Sequence, residues 1–356
     1  MEFRKNSKYA IVAPTSMGLR MTPKMRQPVH ISLDYDVQVT SAESNVLSVP
    51  AALGLRTKVY TKFVKDNPIS KLIKQDLQRR NIAYAGEAVP QGGPWGYRHQ
   101  INIADSGYGM RGPSVWNDRA GEIGATLSPE DFSMQQIFQE EGAEILLITG
   151  LIAAISEETG ALCLAMARAA KENGTRVCFD LNHRPSFWAE RETELCSIFR
   201  EIVGLSDILV ADPFAAEACL GLENRTKTAD VAGQKEGAMN MMQALKAAYP
   251  SISYVLSSQR ETYHANLHLW GALLWDGASL YEAPAREIPV LDRIGGGDGF
   301  LGGVLYGLLK GFTPEAALQF GWGAGAMAVT VFEDYICPLN EEEVWRAWQG
   351  NTRVKR

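Results

Sequence analysis

Four short, almost wholly apolar runs, at 144–149, 176–181, 207–211 and 252–257, alternate with longer stretches that read as helices. The helical stretches are 156–172, closed by Gly174, then 188–203, 213–220 and 238–248. A strand that is apolar on both faces must be covered on both, the habit of a parallel sheet between layers of helices. This rhythm confines the chain to the α/β class. Ser128-Pro129-Glu130 opens it as a helix start. Residues 267–275 and 279–282, joined by Asp276-Gly277, read as an antiparallel pair at its end.

The N-terminal third is less regular. Residues 9–13 read as a first strand. In 19–39 the side chains Val29, Ile31, Leu33, Tyr35, Val37 and Val39 alternate with polar ones, the period of a half-exposed strand or hairpin. Such a pair needs cover from another sheet or chain. Residues 41–53 read as a helix that Pro50 would bend or break, 58–64 as a strand, and 68–80 as a helix with Pro68 at its start. Residues 91–116 are irregular, Gly-rich and aromatic, and 97–103 alternates weakly enough to pair with the first hairpin as a small β-layer. Thr313-Pro314-Glu315 starts a helix whose Gly321, Gly323, Ala324, Gly325 and Ala326 permit close packing, 340–349 is a last helix, and 354–356 a basic tail.

At 356 residues the chain suits one large α/β domain with an accessory part, or two domains. A formal charge of −6 argues against nucleic acid or an anionic membrane as partner. The cysteines Cys163, Cys178, Cys196, Cys219 and Cys337 show no paired spacing, and most read as buried free thiols of a reducing cytoplasm. Residues 1–8 are polar, and no stretch is long and apolar enough to span a membrane.

The run Asp292-Arg293-Ile294-Gly295-Gly296-Gly297-Asp298 precedes a helix of small and apolar residues. Three bare glycines let a ligand approach the backbone, and the unpaired N–H groups of a helix start form an anion site. A carboxylate beside a bound phosphate repels it, so Asp298 needs another task. General base toward a substrate hydroxyl fits, and an ordinary helix N-cap is the plainer alternative. A Walker loop is excluded because Asp298-Gly299 stands where Lys-Ser/Thr is required. A Rossmann fingerprint is excluded by Phe300.

The run resembles the Asp-Thr-x-Gly-Ala-Gly-Asp signature of the ribokinase-like (phosphofructokinase-B type) carbohydrate kinases. Its Arg293-Ile294-Gly295-Gly296 form looks most like that of 2-keto-3-deoxygluconate kinases. Residues 62–69, Asp118-Arg119-Ala120-Gly121, Asp180-Leu181-Asn182-His183-Arg184-Pro185 and Arg260-Glu261 match in order and spacing, over nearly the whole chain. The resemblance implies a three-layer α/β/α fold over residues 1–356, with a mostly parallel central sheet. A small β-sheet lid would be formed by about 19–39 and 95–118, and would also be a homodimer contact. It implies ATP-dependent phosphorylation of a sugar-acid hydroxyl with Mg²⁺ bridging the phosphates. Asp298 would be the base, and the amides of Gly295, Gly296 and Gly297 the anion hole.

For the sugar, the resemblance points to Asn45, Tyr97, Arg119, Arg184 and Asp334, with the two arginines suited to a carboxylate. For ATP it points to Ser258, Arg260 and the glycines. No protein metal ligand is assigned. Several positions depart from the family pattern. Thr40-Ser41 stands for Gly-Gly, Thr15-Ser16 for Gly-Glu, Asp212-Pro213-Phe214-Ala215 for Asn-x-x-Glu, Asn117 for a tyrosine and Glu333 for a glycine. These leave three readings: a kinase of 2-keto-3-deoxygluconate or a related acid, a weakly active or non-catalytic binder of sugar or nucleotide, and a kinase of another sugar such as fructose.

Overall fold

A computed structural model describes residues 1–354. The basic tail at 355–356 lies outside the described residues. The strands are β1 (Tyr9–Pro14), β2 (Gly18–Pro23), β3 (Tyr35–Thr40), β4 (Thr57–Tyr60), β5 (Phe63–Val64), β6 (Ile82–Ala85), β7 (Ala88–Val89), β8 (Gln100–Asp105), β9 (Ser114–Asp118), β10 (Ala143–Thr149), β11 (Arg176–Asp180), β12 (Ile208–Val210), β13 (Tyr254–His264), β14 (Leu267–Trp275) and β15 (Leu280–Pro289). The helices are α1 (Ala42–Ala52), α2 (Pro68–Arg79), α3 (Gly150–Ala153), α4 (Glu157–Glu172), α5 (Pro185–Trp188), α6 (Glu192–Leu205), α7 (Pro213–Leu220), α8 (Val231–Ala248), α9 (Gly296–Leu309), α10 (Pro314–Ala328) and α11 (Glu341–Trp348).

Nine strands form the main sheet in the order β15-β14-β13-β12-β11-β10-β1-β4-β6. It is parallel from β6 to β13, and β14 and β15 join antiparallel at one edge. Alternate side chains of each central strand enter opposite cores. Val12, Leu146, Ile148, Val177 and Phe179 pack with α4, α6, α7 and α8. Ile11, Ala13, Ile145, Leu147 and Cys178 pack with α1, α2, α9 and α10. The expected layering is therefore present.

A second sheet, in the order β3-β2-β8-β9, stands apart as the lid. Its register places Val37, Met21, Ile103 and Trp116 in one row, and Gln38, Arg20, Asn102 and Asn117 in the next. Because side chains alternate along a strand, the two rows face opposite ways. The polar row looks toward the main sheet, while Val37 and Trp116 are each 52% exposed.

Several boundaries differ from expectation for local reasons. Residues 29–34 alternate in sequence but form no strand; the chain turns there, and the hairpin partner of β2 starts at Tyr35. The expected strand 58–64 breaks between β4 and β5, and β5 pairs with β7. Ser128-Pro129-Glu130 starts a single 3₁₀ turn, not an α-helix. The expected helix 188–203 is split because Glu190 adopts a left-handed backbone (φ 64). α8 begins seven residues before the expected 238, capped by Asp230, where Gly233 and Gly237 had hidden it. β13 runs on to His264 because its polar half pairs with β14. Cys163, Cys178 and Cys219 are buried and free, whereas Cys337 is exposed.

Candidate active site

The ends of β1, β10, β11 and β12 open into one cleft, on the side where parallel α/β sheets bind ligands. The lid roofs it, and α1 and α9 close one wall. The cavity is about 640 Å³, within the range of small-molecule sites. A second cavity of about 420 Å³ adjoins it beneath the start of α9.

α9 starts at Gly295, which caps it in a left-handed conformation (φ 82). A Cβ at Gly295 would lie 2.0 Å from the Asp334 carbonyl, so only glycine fits. A Cβ at Gly297 would meet nothing within 4 Å, because that position faces the cleft. The preceding loop is folded back by Asp292, whose carboxylate accepts from the Ile294 N–H (3.0 Å) and the Ser106 hydroxyl (2.6 Å). The first-turn amides of α9 thus point at the junction of the two cavities.

Asp298 lies in that first turn, with Asn45 Nδ2 donating to its Oδ2 at 3.0 Å. α1 brings Asn45 there through a close approach to α9. Pro50 deprives the Val46 carbonyl of its helical donor, and this carbonyl rests against Gly302, where a Cβ would come within 2.3 Å. Burial pushes the Asp298 carboxyl up to about 8. The Asn45 hydrogen bond and Arg184 oppose that rise, and Asp180 and Asp334 add to it. Burial likewise raises Asp180 to about 6.

Asn45, Arg119, Arg184, Ser258, Arg260, Gly295, Gly297, Asp298 and Asp334 all line the larger cavity, and Gly296 lines the second. Tyr97 does not line either one. It belongs to the turn before β8, with its ring 38% exposed, and Gln100 and Asn102 of β8 face the cavity instead.

Two of the expected sugar contacts are already engaged. Arg119 donates from Nη1 to both oxygens of Glu122 (3.0 and 2.9 Å), and Ser16 also donates to Glu122 at 2.8 Å. Asp334 accepts from Arg20 and from the Thr40 hydroxyl (2.7 Å). Arg20 is 1% exposed and bridges Asp334 to Asp292. Its two carboxylates hold the guanidinium above its usual range against the opposing pull of burial. Reading the sequence missed Arg20, since nothing local marks partners 272 and 314 residues away. It also missed Arg293, Gln100 and Asn102.

Six buried polar atoms on the cavity wall lack a protein partner: Arg20 Nε, Asn45 Oδ1, Gln100 Oε1, Asn102 Oδ1, Arg119 Nε and Asn182 Oδ1. Buried polar groups are normally satisfied, and these atoms are sealed beneath the surface; it is the lining of arginine, asparagine, aspartate and serine side chains that suits a ligand rich in hydroxyl groups.

The sequence pattern of pfkB family carbohydrate kinases matches residues 120–341. The chain belongs to the pfkB family of carbohydrate kinases. It is a phosphotransferase with an alcohol group as acceptor. Among its relatives, a 2-dehydro-3-deoxygalactonokinase of Haloferax volcanii is 25% identical over 338 residues, spanning 93% of this chain and 94% of that protein. A 2-dehydro-3-deoxygluconokinase of Bacillus subtilis is 25% identical over 293 residues, 82% of this chain and 80% of that one. Among solved structures, a 2-dehydro-3-deoxygluconokinase of Thermotoga maritima superposes with a TM-score of 0.86 at 23% identity, over 96% of this chain and 99% of that one. A Vibrio cholerae fructokinase solved with fructose, ADP and a calcium ion gives 0.72 at 20% identity, over 96% and 100%. These structural likenesses concern the fold. Kinases of this family use ATP and a divalent cation.

Proposed function

We propose that this sugar kinase transfers the γ-phosphoryl group of ATP to a hydroxyl of a 2-keto-3-deoxy sugar acid, 2-keto-3-deoxygluconate or a related acid, with Asp298 as general base. The observation that carries the reading is Asp298 itself, held by Asn45 at the start of α9 in the wall of the larger cavity, next to Gly297, which lines both. The sugar occupies the cavity under the lid, and the nucleotide the one beneath α9. The reacting hydroxyl gives its proton to Asp298 as the phosphoryl group arrives, and the amides of Gly295, Gly296 and Gly297 hold the growing charge. Arg184 is the cation of the sugar cavity that meets the acid. The only hydrogen bond of its side chain among the described residues is to the His183 carbonyl (3.0 Å).

Mg²⁺ fits this site as an ion carried mainly by phosphates. Among the described residues no three carboxylate, imidazole or thiolate groups converge on one point. Asp180 and Asp212 face the cavity and would complete its shell, the usual share of carboxylates for this ion. Bound there, it would neutralise phosphate charge.

One observation favours a second reading, a neutral sugar such as fructose. Glu122 neutralises Arg119, and two aspartates neutralise Arg20, so no spare positive charge remains on those two lid-side arginines. ADP release with Mg-ATP, measured across keto-deoxy acids, plain hexoses and nucleosides, separates the two. Turnover of an acid and not of its neutral counterpart supports the first. The reverse supports the second. No turnover on any sugar sinks both and leaves a binding protein. Asp298→Asn is the control, and undiminished turnover by it overturns the assignment of the base.

A further inference from the structure

Arg184, Arg260 and Arg293 stand where the two cavities meet. Arg260 and Arg293 line both, and Arg184 lines the larger. Arg260 feels the charges of Arg293 and Arg184, and Arg293 that of Arg184. Partial enclosure at the cleft, together with Arg293 and Arg184, lowers the Arg260 guanidinium from its ordinary value. Burial and then Arg184 lower Arg293. Arg184 has Asp180 and Asp298 near it, but Arg260 and Arg293 are like charges side by side, which is unfavourable in the absence of an anion. No carboxylate ion pair relieves any of them among the described residues. Asp292, the acid next to Arg293, is taken by Arg20, Ser106 and the Ile294 amide. Arg20 and Arg119 on the lid side of the cavity, by contrast, are paired with acids.

The position of the cluster selects its ligand. It stands beside the first turn of α9, whose amides already favour an anion. The side chain of Arg293 projects from the same loop that presents Gly295 and Gly297. A single carboxylate would satisfy one guanidinium in a two-pronged pair. With Arg184 left to the sugar acid, Arg260 and Arg293, which line both cavities, match a chain of phosphates.

We infer that Arg293, with Arg260, is a phosphate-binding residue of this kinase that grips the β- and γ-phosphates of the nucleotide alongside the glycine amides. This rests on the reading of the second cavity as the nucleotide site, but not on which sugar is phosphorylated. The nucleoside end lies further in, against Trp270, Ile288 and Val329, and takes no part in the grip.

The test is calorimetric titration of the full chain, without sugar, with Mg-ATP, AMP and inorganic tripolyphosphate. The native chain is expected to bind tripolyphosphate as well as Mg-ATP. Arg293→Gln and, separately, Arg260→Gln are expected to weaken both by about ten- to hundredfold, the worth of a charge-assisted contact, while AMP binding stays as it was. Arg293→Lys should recover part of the loss. Removing one of these like charges should leave the melting temperature of the ligand-free chain unchanged or raised. Tripolyphosphate and ATP binding unaffected in both glutamine variants would overturn the inference. So would a loss shared equally by AMP, or a lowered melting temperature with all binding lost. These readouts need no turnover, so failure to find the sugar leaves them intact.

Discussion

At the scale of single residues, the glycines of the catalytic turn divide by what surrounds them. Gly295 is fixed by the protein, through its left-handed backbone and the Asp334 carbonyl 2.0 Å from where a Cβ would stand. Gly295→Ala should therefore destabilise by more than the ~1–2 kcal/mol of a left-handed alanine alone, read as a lowered denaturation midpoint. Gly297 is unconstrained by the protein. Gly297→Ala should leave stability equal or better by up to about 1 kcal/mol through helix propensity, yet lose activity, because its methyl group fills the phosphate's approach. Asp298 sets the pH behaviour. A base pushed up to about 8 is protonated at lower pH, so kcat/KM should climb with pH below about 8 and level off above it. Asp298→Asn should lower the rate by ~10²–10⁴ and remove that slope. The sign for stability is opposite. An acid whose folded value lies above its unfolded one favours the fold at low pH, and that contribution is lost as pH rises through about 8. Asp298→Asn should thus melt higher than the parent at pH 8, with the gap closing toward pH 4.

At the scale of elements, the parallel strands and the glycine-led helix were legible because their signals are local. Apolar runs, caps and glycine positions sit within a few residues of what they specify. The seam between α9 and α10 was legible for the same reason: Gly303 meets Gly321 at the closeness that small residues allow. What escaped was set by distant partners or by backbone. The split at Glu190, the polar half of β13 and the occupation of Arg119 by Glu122 have no short-range mark except charge three residues on. Arg20 in β2 is the sharpest case. It reads as one polar residue in a mixed strand, and it is the ionic link among lid, glycine turn and C-terminal loop. Arg20→Ala would leave two buried carboxylates uncompensated, and about 3–5 kcal/mol of stability should be lost, measured by chemical denaturation.

At the scale of the whole molecule, the lid has two unlike faces. Its polar row meets the cavity, and its apolar row of Val37, Met21, Ile103 and Trp116 looks outward. The homodimer expected through the lid would cover that row. Light scattering is expected to give a dimer for the native chain and a monomer for Trp116→Lys, and a native monomer at working concentration would sink that arrangement. The ionic link through Arg20 also has a mechanical meaning. One end belongs to the roof and the other two to the floor, so the β2 side of the roof cannot lift without pulling apart buried charges. Among the described residues β9 carries no such ionic tether to the floor; its exposed Asp118 pairs with Arg98. A roof tethered on its charged side is expected to lift, if it lifts at all, at its outer strand, which would let a sugar enter past β9. Hydrogen exchange should find the amides of β9 the quickest in the sheet and those of β2 as slow as the core.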